Sequence, residues 1–402
     1  TGIVLDNQLR LLLQLHRHRR DMAVCQPSEM ASLPLHLFSQ RATSHPRSLF
    51  MPVPAVVDRP PKCFLAKAIG ASNDSGITTA PAVDVKQRVE FLYEDLPHLF
   101  DDQGIDRAAY DDRVEFRDPI TKHNSIGGYL FNIFLLKILF KPSFQLHWVK
   151  QTGPYEITTR WTMVMTFMLL PWKPELVFTG TSVMGINPQT MKFCSHLDYW
   201  DSLRNNNYFS FEGLMDVIKQ LRIYKTPDIG TPKYTVLRRT ANYEIRKYDP
   251  YIVVETKGDK LSGSSGFNDV AGYIFGKNST TEKIAMTTPV FTQADDAELS
   301  CVSIQIVLPQ EKELSSLPSP ALEKNKLRRV EGGIVAVARF SGKPTEDAVR
   351  GRERLLRKQL LADGLKASAG CQLARYNDPG STWAFVLRNE VLIGVEDFSM
   401  DL

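Results

Sequence analysis

Residues 266–276 read GFNDVAGYIFG. Apolar side chains recur in this stretch at positions i, i+3, i+4, i+7 and i+8, which is the spacing of one face of an α-helix. Gly276 is placed to end that helix, because glycine readily adopts the left-handed conformation found after helix C-termini. The pattern predicts a helix over residues 264–276 whose apolar stripe consists of Phe267, Val270, Ala271, Ile274 and Phe275.

The order of elements around this helix recurs further along the chain. Strand-like stretches at 243–246 and 252–256 precede it, and another at 302–308 follows it. A strand-like stretch at 334–340 then leads into a second helix, for which Thr345 is the expected N-cap and Gly364 the expected end. Further strands are expected at 383–387 and 391–395. Two strand–helix–strand units predict an α+β domain over residues 234–402 with an internal pseudo-twofold and a cleft between sheet and helices.

Upstream of this domain, helical periodicity is followed by alternating periodicity. Helices are expected from residue 85 to 96, with Asp84 as N-cap, and at 126–140 and 211–221. Strands are expected at 144–150, 155–170, 175–185 and 191–200. This order predicts a second α+β domain over residues 84–225. Pro227, Gly230 and Pro232 mark residues 226–233 as the linker between the two domains.

Residues 1–80 differ from the rest in composition. Arginine exceeds lysine, acidic residues are sparse, and Ser, Pro and Ala are scattered throughout. The leucines of 11–15 precede a cluster of histidine and arginine at 16–20, a combination typical of an organelle transit segment. The alternative is a disordered tail that carries no address.

The composition of the whole chain excludes several classes of protein. With 43% hydrophobic and 23% charged residues, the 402-residue chain falls in the globular range and is long enough for two domains. A net charge of +4 does not indicate a nucleic-acid partner. Five widely spaced cysteines without a CxxC pair indicate neither a disulfide framework nor a zinc site. No stretch is apolar enough to span a membrane, so we expect a soluble or peripheral protein.

Six motifs in the C-terminal half resemble the SOUL heme-binding family. They are YEIRKY at 243–248, VVET at 253–256, YIFGKN at 273–278, KIAMTTPV at 283–290, ARFSG at 338–342 and RNEV at 388–391. The resemblance implies a twisted β-barrel with two helices, built from two pseudo-repeats. It also implies non-covalent binding of heme or another porphyrin without catalysis.

The N-terminal folded part has a resemblance of its own. Its motifs are LYEDLPHLF at 92–100, FRDPIT at 116–121, QTGPYEI at 151–157 and VFTGTSVMG at 177–185. They resemble a plant and algal domain of unknown function that is similar to the cone-shaped α+β fold of nuclear transport factor 2 and the SnoaL-type cyclases. In plants this domain precedes a SOUL domain in a chloroplast protein, which implies a chloroplast location and favours the transit segment.

A porphyrin is a flat apolar disc with carboxylates at one edge, so its site needs apolar side chains for the faces and cations at the rim. The apolar helix stripe at 267–275 is the expected face of the pocket. Lys277 and Arg388 are the expected rim cations, and Lys257 and Lys260 are further candidates. The alternative is that the stripe belongs to the core and that the cations are surface charges.

The expected site has no histidine to bind iron. All eight histidines precede residue 200, so a heme in this domain would lack an imidazole ligand. The remaining candidates, none of them favoured, are Met286, Tyr273, Cys301, Cys371 and Tyr376. We therefore expect a loosely held heme, or a metal-free porphyrin that binds equally well, and no metal site.

The leading hypothesis is thus a chloroplast protein that buffers or carries a tetrapyrrole without catalysis. One alternative is an enzyme that acts on a small hydrophobic plastid metabolite through the cone domain, where acid–base chemistry would come from Asp118 and His196. Further polar candidates in that domain are His123, His147 and Asp198. Against this, Asp118 precedes a proline and is typical of a turn, and the other residues suit structural roles.

A second alternative is a protein that contacts a membrane or lipid-droplet surface. The apolar stretch from Tyr129 to Phe140, flanked by Lys137 and Lys141, suits a segment lying on plastid membranes or lipid droplets. Such a stretch is more often a helix buried in its own domain. Motifs for nucleotide binding and for metallo- or serine hydrolases do not occur.

Overall fold

The computed structural model describes residues 85–224, 226–378 and 380–400, which contain helices and two β-sheets. The predicted leader at 1–80 and the predicted N-cap Asp84 lie outside the described residues. No helix in the described ranges is long and apolar enough to cross a membrane.

The first sheet is formed by residues of the N-terminal domain. Its elements are α1 (Val85–Asp95), β1 (Tyr110–Arg117), β2 (Lys122–His123), α2 (Ile126–Leu139), β3 (Phe140–Gly153), β4 (Glu156–Phe167), β5 (Glu175–Ile186), β6 (Phe193–Trp200) and α3 (Phe211–Gln220). The strand order is β2-β1-β6-β5-β4-β3, in which only the β1–β6 pair is parallel. The curved sheet and its helices form the expected cone.

Side-chain caps fix where two of these helices begin. The hydroxyl of Ser125 accepts a hydrogen bond from the backbone N–H of Gly128 at 3.1 Å, which starts α2. In the same way Ser210 accepts from the N–H of Gly213 at 3.2 Å and starts α3. Helix α2 then runs directly into β3, so this helix and the edge of the sheet share a continuous backbone.

The second sheet is formed by the C-terminal domain. Its elements are β7 (Tyr234–Arg239), β8 (Glu244–Tyr248), β9 (Tyr251–Lys257), α4 (Phe267–Ile274), β10 (Val290–Ala294), β11 (Val302–Val307), β12 (Lys326–Val330), β13 (Gly333–Phe340), α5 (Glu346–Ala362), β14 (Lys366–Ala367), β15 (Cys371–Arg375) and β16 (Asn389–Glu396). Nine strands run antiparallel in the order β12-β9-β11-β10-β15-β16-β13-β8-β7, and β14 pairs with β16. This sheet curls into a half-barrel.

The two faces of the half-barrel have different partners, because side chains alternate along each strand. On the outer face, Ile252 and Val254 of β9 pack in one apolar cluster with α4. Val391 and Ile393 of β16 pack in another with α5. The intervening residues, such as Val253 and Leu392, face the concave side.

The structure confirms several predicted element boundaries. Gly276 and Gly364 follow α4 and α5 with φ of +100° and +71°, as expected of glycines that end helices. Thr345 caps α5 through the N–H of Ala348 at 3.4 Å. The strand predicted at 383–387 is wrong: residues 384–386 form a 3-10 turn, and the apolar Trp383 has 73% of its surface exposed instead of alternating into the core.

Strand β7 of the second sheet makes hydrogen bonds to residues of the first domain. The guanidinium of Arg239 in β7 makes two hydrogen bonds to Asp216 of α3, at 2.8 and 2.9 Å, and both residues are buried. The backbone carbonyls of Val236 and Leu237 accept hydrogen bonds from Thr162 and Arg160 of β4, at 2.7 and 3.2 Å. The outermost strand of the second sheet is therefore covered by the first domain, which protects a sheet edge.

Candidate functional site

Three residues of the predicted α4 stripe are fully packed against the sheet. Val270, Ala271 and Ile274 expose 0%, 6% and 1% of their surface and belong to the apolar cluster that α4 shares with β9 and β11. Phe267 and Phe275 are partly buried against the same cluster. Ligand contact at these residues stays a prediction, and it requires α4 to move away from the sheet.

The predicted rim cations lie in different surroundings. Lys277 is exposed, and its aliphatic stem lies beside Gly272, where a Cβ would approach Lys277 Cδ to 3.0 Å. Arg388 is buried on the concave side, where it binds Glu390. Since α4 lies on the outer face, Arg388 and the α4 stripe are separated by the sheet and do not line one pocket.

The concave face of the half-barrel holds a cavity of about 350 Å³ that is open on one side. This volume lies at the lower end of the range for small-molecule sites. Three aromatic rings and three aliphatic side chains form its apolar lining: Tyr248, Tyr251, Phe291, Val330, Val335 and Leu392. The ring centroid of Tyr251 lies 6.5 Å from that of Tyr248 and 6.1 Å from that of Phe291, so the three rings form a continuous wall.

Glycines at the edge of the cavity keep the backbone close to it. Gly332 has φ of +78°, and a Cβ there would lie 2.3 Å from the carbonyl oxygen of Tyr248. A Cβ at Gly394 would lie 2.6 Å from the hydroxyl of Ser368. Side chains at these two positions would therefore collide with the cavity wall, which explains why the strands carry glycine here.

Polar groups border one end of the cavity. Gln293 and Gln372 contribute amides and Asp295 an exposed carboxylate. Behind Gln293, the fully buried Gln305 donates to it at 3.1 Å, but the Oε1 atom of Gln305 has no hydrogen-bond partner in the structure. A buried amide oxygen without a partner is costly, but Gln305 lies behind the residues that line the cavity, so its oxygen is not part of the cavity wall.

A buried charge cluster contacts Tyr248, one residue of the cavity wall, from behind. Glu390 is fully buried and accepts hydrogen bonds from Arg246, Arg388 and Arg339, at distances from 2.8 to 3.2 Å. Glu244 also binds Arg246 at 2.7 Å. Three guanidinium groups and two carboxylates leave one net positive charge in this cluster.

The cluster controls the protonation of its members. Burial alone would raise the pKa of Glu390, but Arg246, Arg388 and Arg339 hold that pKa well below its usual value. Arg246 also donates to the hydroxyl of Tyr248 at 3.3 Å, so the cluster reaches a residue that lines the cavity. Burial raises the pKa of Tyr248, which keeps its hydroxyl neutral.

Most of the candidate iron ligands are hydrogen-bonded to, or packed against, other parts of the protein. The hydroxyl of Tyr273 donates to the carbonyl of Pro318 at 2.8 Å, and that of Tyr376 to Glu390 at 2.9 Å. Met286 packs in the α4 cluster, and Cys301 is exposed. Cys371 borders the cavity, yet its side chain packs in the α5 cluster and burial raises its pKa to about 12.

These observations define what the cavity can hold. The aromatic and aliphatic side chains give the cavity apolar walls, and none of the described residues that line it is a histidine. Within the described ranges no group of three or more His, Cys, Asp or Glu residues could hold a metal ion. Cys301 and Cys371 are free thiols.

The cone contains a buried hydrogen-bonded chain that joins two of the predicted polar residues. His196 Nε2 lies 3.0 Å from Asp198, and His196 Nδ1 lies 3.0 Å from the hydroxyl of Tyr129. Asp198 also accepts from the hydroxyl of Ser182 at 2.6 Å, which in turn accepts from the indole N–H of Trp161 at 2.8 Å. Both ring nitrogens of His196 are therefore engaged.

The other polar residues of the cone have structural partners. Asp118 closes a turn by accepting hydrogen bonds from the N–H groups of Ile120 and Thr121, as its position before a proline predicts. Burial raises the pKa of Asp118 to about 6, against the lowering effect of Thr121, and the charge of Asp198 raises it further. His123 stacks on Phe116.

His147 is placed where the two domains meet. It lies 2.8 Å from the hydroxyl of Thr162, which donates to the carbonyl of Val236 in β7. Burial and the nearby Arg160 lower the pKa of His147, so it is neutral at physiological pH. This position fits a structural contact between the domains.

Comparison with known proteins identifies both domains. Residues 229–394 match the family model of the SOUL heme-binding protein, and residues 86–196 match that of an uncharacterized conserved protein (DUF2358). The C-terminal part of the chain is therefore similar to SOUL heme-binding domains over residues 229–394. The matched segment of the uncharacterized family precedes it in the chain. Comparison with curated proteins finds no match.

Several solved structures are similar to parts of the chain. An NTF2-like protein from Anabaena variabilis has 10% identity and a TM-score of 0.26, over 32% of this chain and 97% of its own. An NTF2-like protein of unknown function from Exiguobacterium sp. 255-15 has 13% identity and a TM-score of 0.21, over 24% and 80%. The EcmrR C-terminal domain has 10% identity and a TM-score of 0.32, over 41% and 99%.

Proposed function

We propose that this protein binds a tetrapyrrole in the chloroplast and buffers or carries it without catalysis. The observation that carries the proposal is the cavity on the concave face of the SOUL domain, with its wall of Tyr248, Tyr251 and Phe291. Aromatic and aliphatic walls bind the faces of a flat macrocycle by dispersion and by burial of apolar surface. The excess positive charge beside Tyr248 favours the carboxylates at the edge of the macrocycle.

The lack of a strong axial ligand has a measurable consequence. If the protein holds the ring by its faces, metal-free protoporphyrin binds about as well as hemin. Titration of each into the full chain, followed by the Soret band, tests this. Absence of any spectral shift at micromolar porphyrin would contradict the proposed function.

A pair of variants locates the ligand. Val335→Trp fills the concave cavity with an apolar side chain, and Phe275→Glu places a charge on the α4 stripe. We expect Val335→Trp to weaken porphyrin binding about tenfold or more and Phe275→Glu to leave it unchanged. The reverse pattern, with both folds intact by circular dichroism, would place the ligand under α4 as the sequence predicts.

The chloroplast location rests on the composition of residues 1–80 and on the resemblance to plant proteins. A fusion of residues 1–84 to a fluorescent protein, expressed in plant cells, is expected to accumulate in plastids. Diffuse cytosolic fluorescence would contradict this part of the proposal and leave tetrapyrrole binding untouched.

An acid–base enzyme in the cone is the second candidate, and one observation favours it. A carboxyl whose pKa is near 6, as in Asp118, exchanges protons readily close to neutral pH. Turnover in a screen of small hydrophobic metabolites should then disappear in the double variant Asp118→Asn, His196→Gln. Unchanged turnover would remove this candidate.

A further inference from the structure

The outer side of α2 carries apolar residues that nothing in the chain's described residues covers. The inner stripe of α2 is buried and includes Ile126, Tyr129 and Ile133. The outer stripe repeats at i, i+3, i+4 and i+7, and its side chains are exposed by 40% to 60%: Phe131, Phe134, Leu135 and Ile138. A helix that is apolar on all sides is normally buried on all sides, which leaves the outer stripe of α2 without its partner.

Helix α3 shows the same exposed pattern. Phe211, Leu214 and Ile218 point outward at i, i+3 and i+7 and are 74%, 43% and 49% exposed. The buried inner face of α3 instead contains Asp216, which pairs with Arg239. Val217 also packs inward against the core, so the exposed apolar residues of α3 are additional to its buried face.

The β4–β5 hairpin joins the two stripes into one surface. The backbone N–H of Met168 binds the carbonyl of Leu139 at the end of α2, at 3.1 Å. The indole N–H of Trp172 binds the carbonyl of Leu221 at the end of α3, at 3.1 Å. Leu169, 67% exposed, lies between them at the tip of the hairpin. We call the exposed residues of α2, this hairpin and α3 the apolar face.

Loops in unusual conformations present further residues at this face. Phe209, directly before α3, has φ of +58° and is 78% exposed. Lys173 of the hairpin has φ of +40°. A bulky aromatic in the left-handed region is uncommon, and strain of this kind collects at functional sites.

Lysines are placed where a lipid surface would have its headgroups. Lys141 follows α2, Lys173 lies in the hairpin and Lys219 is on α3; all three are exposed, and none forms an ion pair in the described part of the chain. Long lysine stems reach phosphate groups while the neighbouring apolar side chains insert below them. Glu175 and Glu212 lie on the same elements, so apolar insertion supplies most of the affinity and charge a smaller part.

From these observations we infer that the apolar face docks the protein on a phospholipid surface. Exposed apolar residues on this scale mark an interaction site. Free lysines at its edge match the phosphates of lipid headgroups. This inference does not depend on tetrapyrrole binding.

Vesicle flotation with the full chain tests the inference. Wild type should float with vesicles of phosphatidylcholine and phosphatidylglycerol. The double variant Phe134→Glu, Leu169→Glu should lower the partition coefficient about tenfold or more, because two carboxylates would enter the apolar layer. Leu361→Glu is the matched control: this leucine is 79% exposed on α5 of the other domain, and its replacement should not change flotation.

Two results would overturn the inference. In the first, wild type does not float, or the double variant floats as well as wild type. In the second, light scattering shows that wild type is a dimer, the double variant is a monomer and neither floats, so that the apolar face joins two copies of the chain. Circular dichroism of the double variant confirms that its fold is retained.

Discussion

Replacement of Glu390 by glutamine should strongly destabilise the C-terminal domain. The side chain is fully buried and binds three guanidinium groups, so its charge compensates a site that water does not reach. Glutamine keeps the shape but removes the charge, and the cluster goes from one excess positive charge to two. Breaking a buried ion pair from one side typically costs about 3–5 kcal/mol. That is a large fraction of the stability of an ordinary domain, about 5–15 kcal/mol.

The control for this variant lies on the same strand. Glu396→Gln removes a carboxylate that pairs with Lys366, and both of these side chains are largely exposed. Surface ion pairs of this kind contribute little to stability, so Glu396→Gln should unfold at the same urea concentration as wild type. Urea unfolding followed by circular dichroism measures both variants. If Glu390→Gln unfolds at the same urea concentration as Glu396→Gln, the cluster does not depend on charge compensation and our reading of it is wrong.

The pH dependence of stability provides a second readout for the same residue. The pKa of Glu390 in the folded protein lies well below its usual value, so the unfolded chain binds the proton more tightly. The stabilisation is therefore complete above the ordinary glutamate pKa of about 4.5 and is lost as the pH falls below it. Wild type should lose stability in this acidic range more steeply than Glu390→Gln. Equal slopes would show that the folded pKa is not depressed.

Three further predictions concern other parts of the chain. A maleimide should modify the exposed Cys301 in the native protein and leave Cys371 unmodified until denaturant is added. The reason is that burial raises the pKa of the Cys371 thiol to about 12. Modification of both cysteines at equal rates would contradict this. The pKa of Asp118 is raised to about 6 in the folded state, so wild type should lose stability as the pH rises from about 4 to 6. Asp118→Asn should not show this loss. An unchanged pH profile in the variant would refute the shift. Asp216→Asn should lower the free energy of unfolding by about 3–5 kcal/mol, because it leaves the buried Arg239 without its partner. Thermal unfolding measures this loss. The charge-free double variant Arg239→Met, Asp216→Leu is the comparison and should be less destabilised.

Local sequence signals predicted most helices and many strands. Periods of 3.6 and 2 residues, a capping threonine and two terminal glycines act within a few residues of chain, so they can be recognised without the tertiary structure. They placed α4, α5 and the long strands of the cone within a few residues of their observed ends. Strands such as Lys326–Val330 and Cys371–Arg375 escaped prediction, because their polar side chains have partners only across the sheet.

The concave cavity was outside the reach of the sequence. The apolar stripe of α4 predicted a face, but an apolar face is equally suited to the core, and the fold packs Val270 and Ile274 there. The concave wall is assembled from residues of several strands far apart in the chain, including Tyr248, Phe291 and Leu392. Each of them looks like an ordinary strand residue in the sequence.

The sequence by itself determined the mixed α+β class, the order of most helices and strands, and the resemblance of the C-terminal part to SOUL domains, because these are encoded in short-range periodicity and in motifs that can be read in order. Only the tertiary structure decided which face of each strand points inward and which charges meet. Strand register pairs Glu390 with Arg339, and Arg246 reaches the same carboxylate from a position 144 residues earlier in the chain. Such contacts depend on sheet curvature and register, which are properties of the whole fold and of no single segment.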